Sequence, residues 1–194
     1  MKRKTINKLR KIYLIVSISI GIISPLICII LFPEFDPRIQ PVSYFGIFKH
    51  TSILFMILLF ILSISLWFNG ERSIYKFIKR KKYKWWLMSL LTFACVFLCL
   101  TGAISMKHDP IHQIVALLFF LIYNFFVFAF GLARATSFVR KGLFSVIIGS
   151  LMLLSSLLLI PFPSYGVAEI VYIFLIFYWN ISMFIKYEKT SRNK

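Results

Sequence analysis

The chain has 194 residues, of which 60% are hydrophobic, 18% aromatic and only 15% charged, yet its formal net charge is +17. Soluble domains are about 45–50% apolar and about 25% charged, so a water-soluble fold is excluded. The chain is too apolar for intrinsic disorder, and its three cysteines are too few for a secreted disulfide scaffold. An integral membrane protein remains.

Six stretches meet the requirement for a spanning helix, about 20 mostly apolar residues. In chain order they are 12–32, 46–68, 85–105, 111–133, 143–160 and 168–185. Barrel strands would alternate in polarity over about ten residues; these runs are longer and apolar on all sides. The expected fold is therefore an all-α integral membrane protein, a six-transmembrane-helix bundle forming one domain over 1–194. The basic start and first run resemble a signal peptide. The run is about twice the usual length, however, and has no small-residue cleavage site, so it reads as a retained helix.

Proline punctuates the spans. Pro33 and Pro37 end the first, Pro41 keeps its connector extended, Pro110 opens the fourth, and Pro161 and Pro163 with Gly166 turn the chain between the last two. Pro25 inside the first span predicts a kink. Lipid supplies no hydrophobic force between helices, so small residues mark the packing faces: Ser17, Gly21 and Ser24; Cys95, Cys99 and Gly102; Ala129, Gly131, Ala133 and Ala135; Ser145 and Gly149. Asn124 and Asn180 are too polar to face lipid, and each is expected to hydrogen-bond another helix or a buried water. The cysteines fall inside spans, and a disulfide is not expected.

Charge orients the bundle. Twenty of the 23 Lys and Arg fall in the N-terminus, 72–84, 134–141 and 186–194, whereas only Arg38, Lys49 and Lys107 lie on the other side. Cytoplasmic loops retain cations, so both termini are expected in the cytoplasm of a cell (inner or plasma) membrane. The densest patch joins Lys79, Arg80, Lys81, Lys82 and Lys84 to Trp85 and Trp86. It reads as topogenic charge with an aromatic belt, and as a surface for anionic lipid head groups. No soluble module accompanies it, so nucleic acid is not an expected partner.

Chemistry has one place to sit, the outer side. His50, His108 and His112 lie there with Glu34, Asp36, Asp109 and Glu169, near Ser43, Tyr44 and Tyr165. Glu169 and Asn180 share a face of the last span. The candidate ligand-binding residues are His112, Asp109, His50, Glu169, Asp36 and Ser43, with His112 foremost because it falls just inside its helix. If a metal is bound, His50, His112 and Asp36 are its candidate ligands, but no ligating motif such as HExxH is present. No cofactor is expected.

The stretch Ile39-Gln-Pro-Val-Ser-Tyr-Phe-Gly46 resembles the signature preceding the second helix of the DRAM/Frag/Sfk-like six-span family and its uncharacterised prokaryotic relatives. Pro41, Ser43 and Gly46 carry that likeness. Asp109 and His112 resemble the relatives' acidic residue and histidine opening the fourth span. Tyr44 stands where eukaryotic members often carry an acid. The resemblance implies a non-enzymatic bundle linked to lipid handling, lipid sensing or regulation of a membrane partner, with no catalytic residues. The leading expectation is a non-catalytic protein that holds a lipid-like or small polar ligand at its outer face or regulates a membrane-protein partner. The alternatives are a metal-dependent membrane hydrolase built on outer histidines and carboxylates, and a small transporter, although no internal repeat is found.

Overall fold

The computed structural model describes residues 3–48, 51–136 and 139–192. Its six helices are α1 (Arg3–Leu31), α2 (Ser52–Phe77), α3 (Lys81–Ala103), α4 (Ile111–Ala135), α5 (Val139–Leu154) and α6 (Tyr165–Arg192), and no strand occurs among the described residues. All six are long and apolar enough to cross a bilayer, α5 by way of the short 3₁₀ turn Ser155–Leu159 that prolongs it. The protein is a multi-pass helical membrane protein.

Several boundaries depart from expectation. The second span begins at Ser52 rather than at position 46, because Val42–Gly46 forms a separate 3₁₀ turn. Toward its other end α2 runs on to Phe77, so the connector expected over 72–84 shrinks to residues 78–80. Tertiary contact holds that extension: Gly70 packs on Leu91, and Asn69 is bonded to α6. Lys81, Lys82 and Lys84 consequently lie in the first turn of α3, ahead of the expected start at Trp85. α6 extends beyond 168–185 at both ends. Helix α1 remains helical through position 25.

Helices adjacent in sequence pack side by side from α1 to α5, and α6 returns against α2 and α5. The start of α1 and the end of α6 meet, since Lys11 Nζ lies 3.8 Å from Glu188 Oε2. Arg72, near the end of α2, joins the same carboxylate at 3.5 Å. The cation-rich segments therefore gather at one end of the bundle, while the turn at 42–46 and the start of α6 occupy the other.

The polar residues inside the bundle join helices. Asn180 Nδ2 donates to Tyr123 Oη at 2.7 Å and to the Ile176 carbonyl at 2.8 Å, and its Oδ1 accepts from Asn69 Nδ2 at 2.8 Å. Asn180 thus meets the expectation placed on it. Asn124 is buried, and its Oδ1 has no partner within the protein. Trp179 Nε1 donates to Ser145 Oγ at 3.0 Å, and its ring stands edge-on to Phe126 and Phe130. Ser17 and Ser65 hydroxyls bond across α1 and α2 at 2.5 Å. Outward faces are apolar, as lipid requires; Phe174 is 67% and Ile30 76% exposed. The three cysteines are free thiols.

The expected small-residue faces of α4 and α5 do meet, and Gly142 joins them. A Cβ on Gly142 would overlap the Gly131 carbonyl oxygen and lie 2.5 Å from the Ala135 nitrogen; one on Gly131 would lie 2.6 Å from the Val146 nitrogen. These obstacles are backbone, which cannot swing aside as a side chain can. Gly142→Ala should therefore force α4 and α5 apart and cost about 1–3 kcal/mol. Gly46→Ala is the control, because its added methyl meets only ordinary contacts near Phe55. Thermal unfolding in detergent micelles reads both, with a clear fall in midpoint for the first alone.

Candidate functional site

At the end opposite the cations, the segment before α2 is fastened to α6. Pro41 cannot donate a hydrogen bond, and its extended backbone (ψ 155°) leads into the 3₁₀ turn whose first N–H groups need an acceptor. Glu169, in the second turn of α6, supplies one. Its Oε2 accepts from Val42 N at 2.6 Å, with the Ser43 N–H directed at the same carboxylate. The capping residue comes from 127 positions away in the chain. Close by, Ser164 Oγ donates to the Pro37 carbonyl at 2.9 Å. A Cβ on Gly166 would overlap the Pro37 and Gln40 carbonyl oxygens, so glycine lets this loop lie directly on α6.

His112 approaches from the first turn of α4. Its Nδ1 lies 2.5 Å from the Ile104 carbonyl oxygen. A carbonyl only accepts, so Nδ1 carries the proton. In the neutral ring Nε2 is then an unprotonated acceptor, and it is buried without a hydrogen-bond partner. The residue is 2% exposed.

His112, Ser43 and Glu169 line one cavity of about 210 Å³, together with Tyr165, Gln113 and Met106. That is ample for more than a single water, which needs only about 10–15 Å³. Ser43 Oγ donates only to the Met106 sulfur, at 3.6 Å, a weak partner that a better acceptor would displace. Ser43 and Glu169, with Ala116 and Phe120, also border a second, nearly wholly apolar cavity of about 90 Å³, which reaches Gly21, Phe55 and Ile176 between the helices. The two cavities therefore share a wall that carries the carboxylate.

Asp36 and Asp109 do not line this cavity. Asp36 Oδ1 accepts from Arg38 N at 2.9 Å, which closes a local turn. Asp109 is exposed, its Oδ2 accepting from Gln113 Nε2 at 3.1 Å. His50 lies outside the described residues, as does Lys49. Among the described residues, no group of three or more His, Cys, Asp and Glu is placed to hold a metal. Gln113 and Met106 were not anticipated. Gln113 follows His112 directly, and its amide was the one available sequence signal.

The patch at the start of α3 is an outward-facing surface. Lys79, Arg80, Lys81 and Lys82 are exposed, Lys84 lies over Tyr75, Trp85 is exposed, and Trp86 stands edge-on to Phe125.

A family profile described as "Protein of unknown function (DUF998)" matches residues 15–186. The chain belongs to the DUF998 family. The match runs from within α1 to the closing turns of α6, so both halves of the site, the turn at 42–46 and the start of α6, lie inside the family's domain. No curated protein and no solved structure matches the chain.

Removing the Glu169 carboxylate leaves the Val42 N–H without its acceptor. Glu169→Ala should destabilise the protein by about 1–3 kcal/mol, the usual cost of an unmet buried donor. Glu169→Gln, which keeps an oxygen at that position, should cost less than half as much. Thermal unfolding midpoints in detergent separate the two, and equal midpoints would remove the cap from the account.

Proposed function

We propose that this DUF998 protein is a non-catalytic, multi-pass protein of the cell membrane that binds an amphiphile at the outer end of its bundle. The observation that carries the reading is the His112 ring: it is buried, tied to the Ile104 carbonyl through Nδ1, and left with an unpartnered Nε2 in a wall shared with Ser43 and Glu169. An imidazole lone pair and a carboxylate lining one cavity form an acceptor-rich site. They suit a head group that donates hydrogen bonds, an amine or a set of hydroxyls. The adjoining slot, lined by Phe55, Leu58 and Ile173, suits an acyl or isoprenoid chain. Pro41 and Ser43, two of the three residues through which the sequence resembles the DRAM/Frag/Sfk-like proteins, line this same cavity. That agrees with a lipid-handling or lipid-sensing role, exerted directly or through a membrane partner.

Lipid extraction from the purified protein tests the reading. The wild-type protein should retain an amine- or hydroxyl-bearing amphiphile detectable by mass spectrometry. His112→Ala combined with Glu169→Gln should lower its occupancy at least about tenfold, a loss of about 1.4 kcal/mol or more, while elution on size exclusion stays monodisperse. An unchanged lipid profile would overturn the proposal.

The orientation belongs to the same proposal. The gathering of cations at one end supports placing that end, and with it both helix termini, in the cytoplasm. Reporter fusions within residues 78–80 should be active on the cytoplasmic side, and fusions within residues 33–41 on the outer side. The reverse pattern would put the cavity in the inner leaflet.

A further inference from the structure

The cation-rich end holds a feature independent of the outer cavity. Arg134 closes α4 with its guanidinium carbon 4.3 Å from the centre of the Phe77 ring, and its Nη1 donates to Met183 Sδ at 3.9 Å. Lys186, on α6, holds its Nζ 3.7 Å from the centre of the Phe144 ring. Both residues are half-buried, and Arg134 reaches α6 at Met183, three residues before Lys186. Four helices thus converge on two cations: α2 through Phe77, α4 through Arg134, α5 through Phe144 and α6 through Met183 and Lys186.

No carboxylate among the described residues pairs with either cation. Glu188 is turned to Lys11 and Arg72. Glu71 lies on α2, while Glu34, Asp36, Asp109 and Glu169 lie toward the opposite end. The first turn of α5, which begins at this same end, adds Arg140 and Lys141 and no acid. Aromatic faces stabilise the two cations but use none of their hydrogen-bond donors in the ring planes. The thioether is a weak acceptor for a guanidinium. Two converging cations, backed by rings and short of acceptors, fit a bound anion with several oxygens.

We propose that Arg134 and Lys186 form an interhelical site for a phosphate ester, the head group of an anionic phospholipid in the inner leaflet. Arg engages phosphate oxygens in a fork, and Lys adds a point charge. The negative surface of that leaflet supplies the ligand at high local concentration. The site differs from the patch at the start of α3, where Lys79, Arg80, Lys81 and Lys82 are exposed and would contribute only diffuse attraction.

Native mass spectrometry of the full chain in detergent, titrated with phosphatidylglycerol, tests the proposal, with phosphatidylethanolamine as the zwitterionic comparison of zero net charge. One phosphatidylglycerol should bind preferentially, and Arg134→Gln with Lys186→Gln should weaken it at least about tenfold. Lys81→Gln with Lys82→Gln should leave it within about twofold. The charge-conserving pair Arg134→Lys with Lys186→Arg should restore most of the binding. Should the double Gln variant fail to elute as a monodisperse species, Lys186→Gln alone replaces it, since it leaves Arg134 in place. A parallel arm measures thermal stabilisation by inorganic phosphate and by glycerol 3-phosphate. Stabilisation by these at millimolar concentration, lost in the same variants and without lipid preference, would keep the site and assign it a soluble phosphate. Binding of phosphatidylglycerol undiminished in the Arg134 and Lys186 variants, or lost equally in the Lys81 and Lys82 variant, would overturn it.

Discussion

Helix α6 holds the bundle together through hydrogen bonds, because in lipid apolar surface alone gives helices no reason to associate. Asn180 joins it to Asn69 of α2 and Tyr123 of α4, Trp179 to Ser145 of α5, and Tyr172 Oη to the Phe120 carbonyl at 2.6 Å. These contacts fix the rotation of α6 about its axis. Glu169, eleven residues before Asn180 and on the same face, is thereby carried to the turn at 42–46. The polar ties within the bundle and the cap at its end are two consequences of one orientation.

That arrangement explains how a carboxylate persists at the edge of an apolar slot. A buried charge is costly unless it is hydrogen-bonded, and backbone N–H groups at the start of a 3₁₀ turn are donors in need of an acceptor. Each meets the other's requirement. His112 is half-satisfied by comparison, one nitrogen bonded and the other not. An orphan nitrogen of this kind, rather than the capped carboxylate, sets the cavity apart from an ordinary polar cap.

The two ends of the molecule are built on opposite principles. At the end that carries the cavity a few polar groups line one space, and acceptors are in excess. At the cation-rich end donors are in excess; Arg72 is buried, paired with Glu188 and set 4.1 Å from the centre of the Tyr187 ring. Arg134 and Lys186 have rings but no acid. This asymmetry follows from the +17 charge, which six acids cannot neutralise.

Six crossings, the gathering of cations at one end and the inward role of Asn180 were legible in the sequence, because hydropathy, charge and intramembrane polarity are properties of single residues summed over short windows. His112, Ser43 and Glu169 were legible as candidates for a similar reason: each is polar at a depth where lipid penalises polarity. Their selection over Asp36 and Asp109 was decided only by the tertiary structure. Asp36 and Asp109 find partners two and four residues away, whereas Glu169 finds Val42 across 127 positions, a pairing that no local pattern encodes. The same holds for Gly142 against Gly131 and for Arg134 beside Lys186. Sequence fixes which residues must leave lipid; the rotation and register of packed helices fix what they meet when they do.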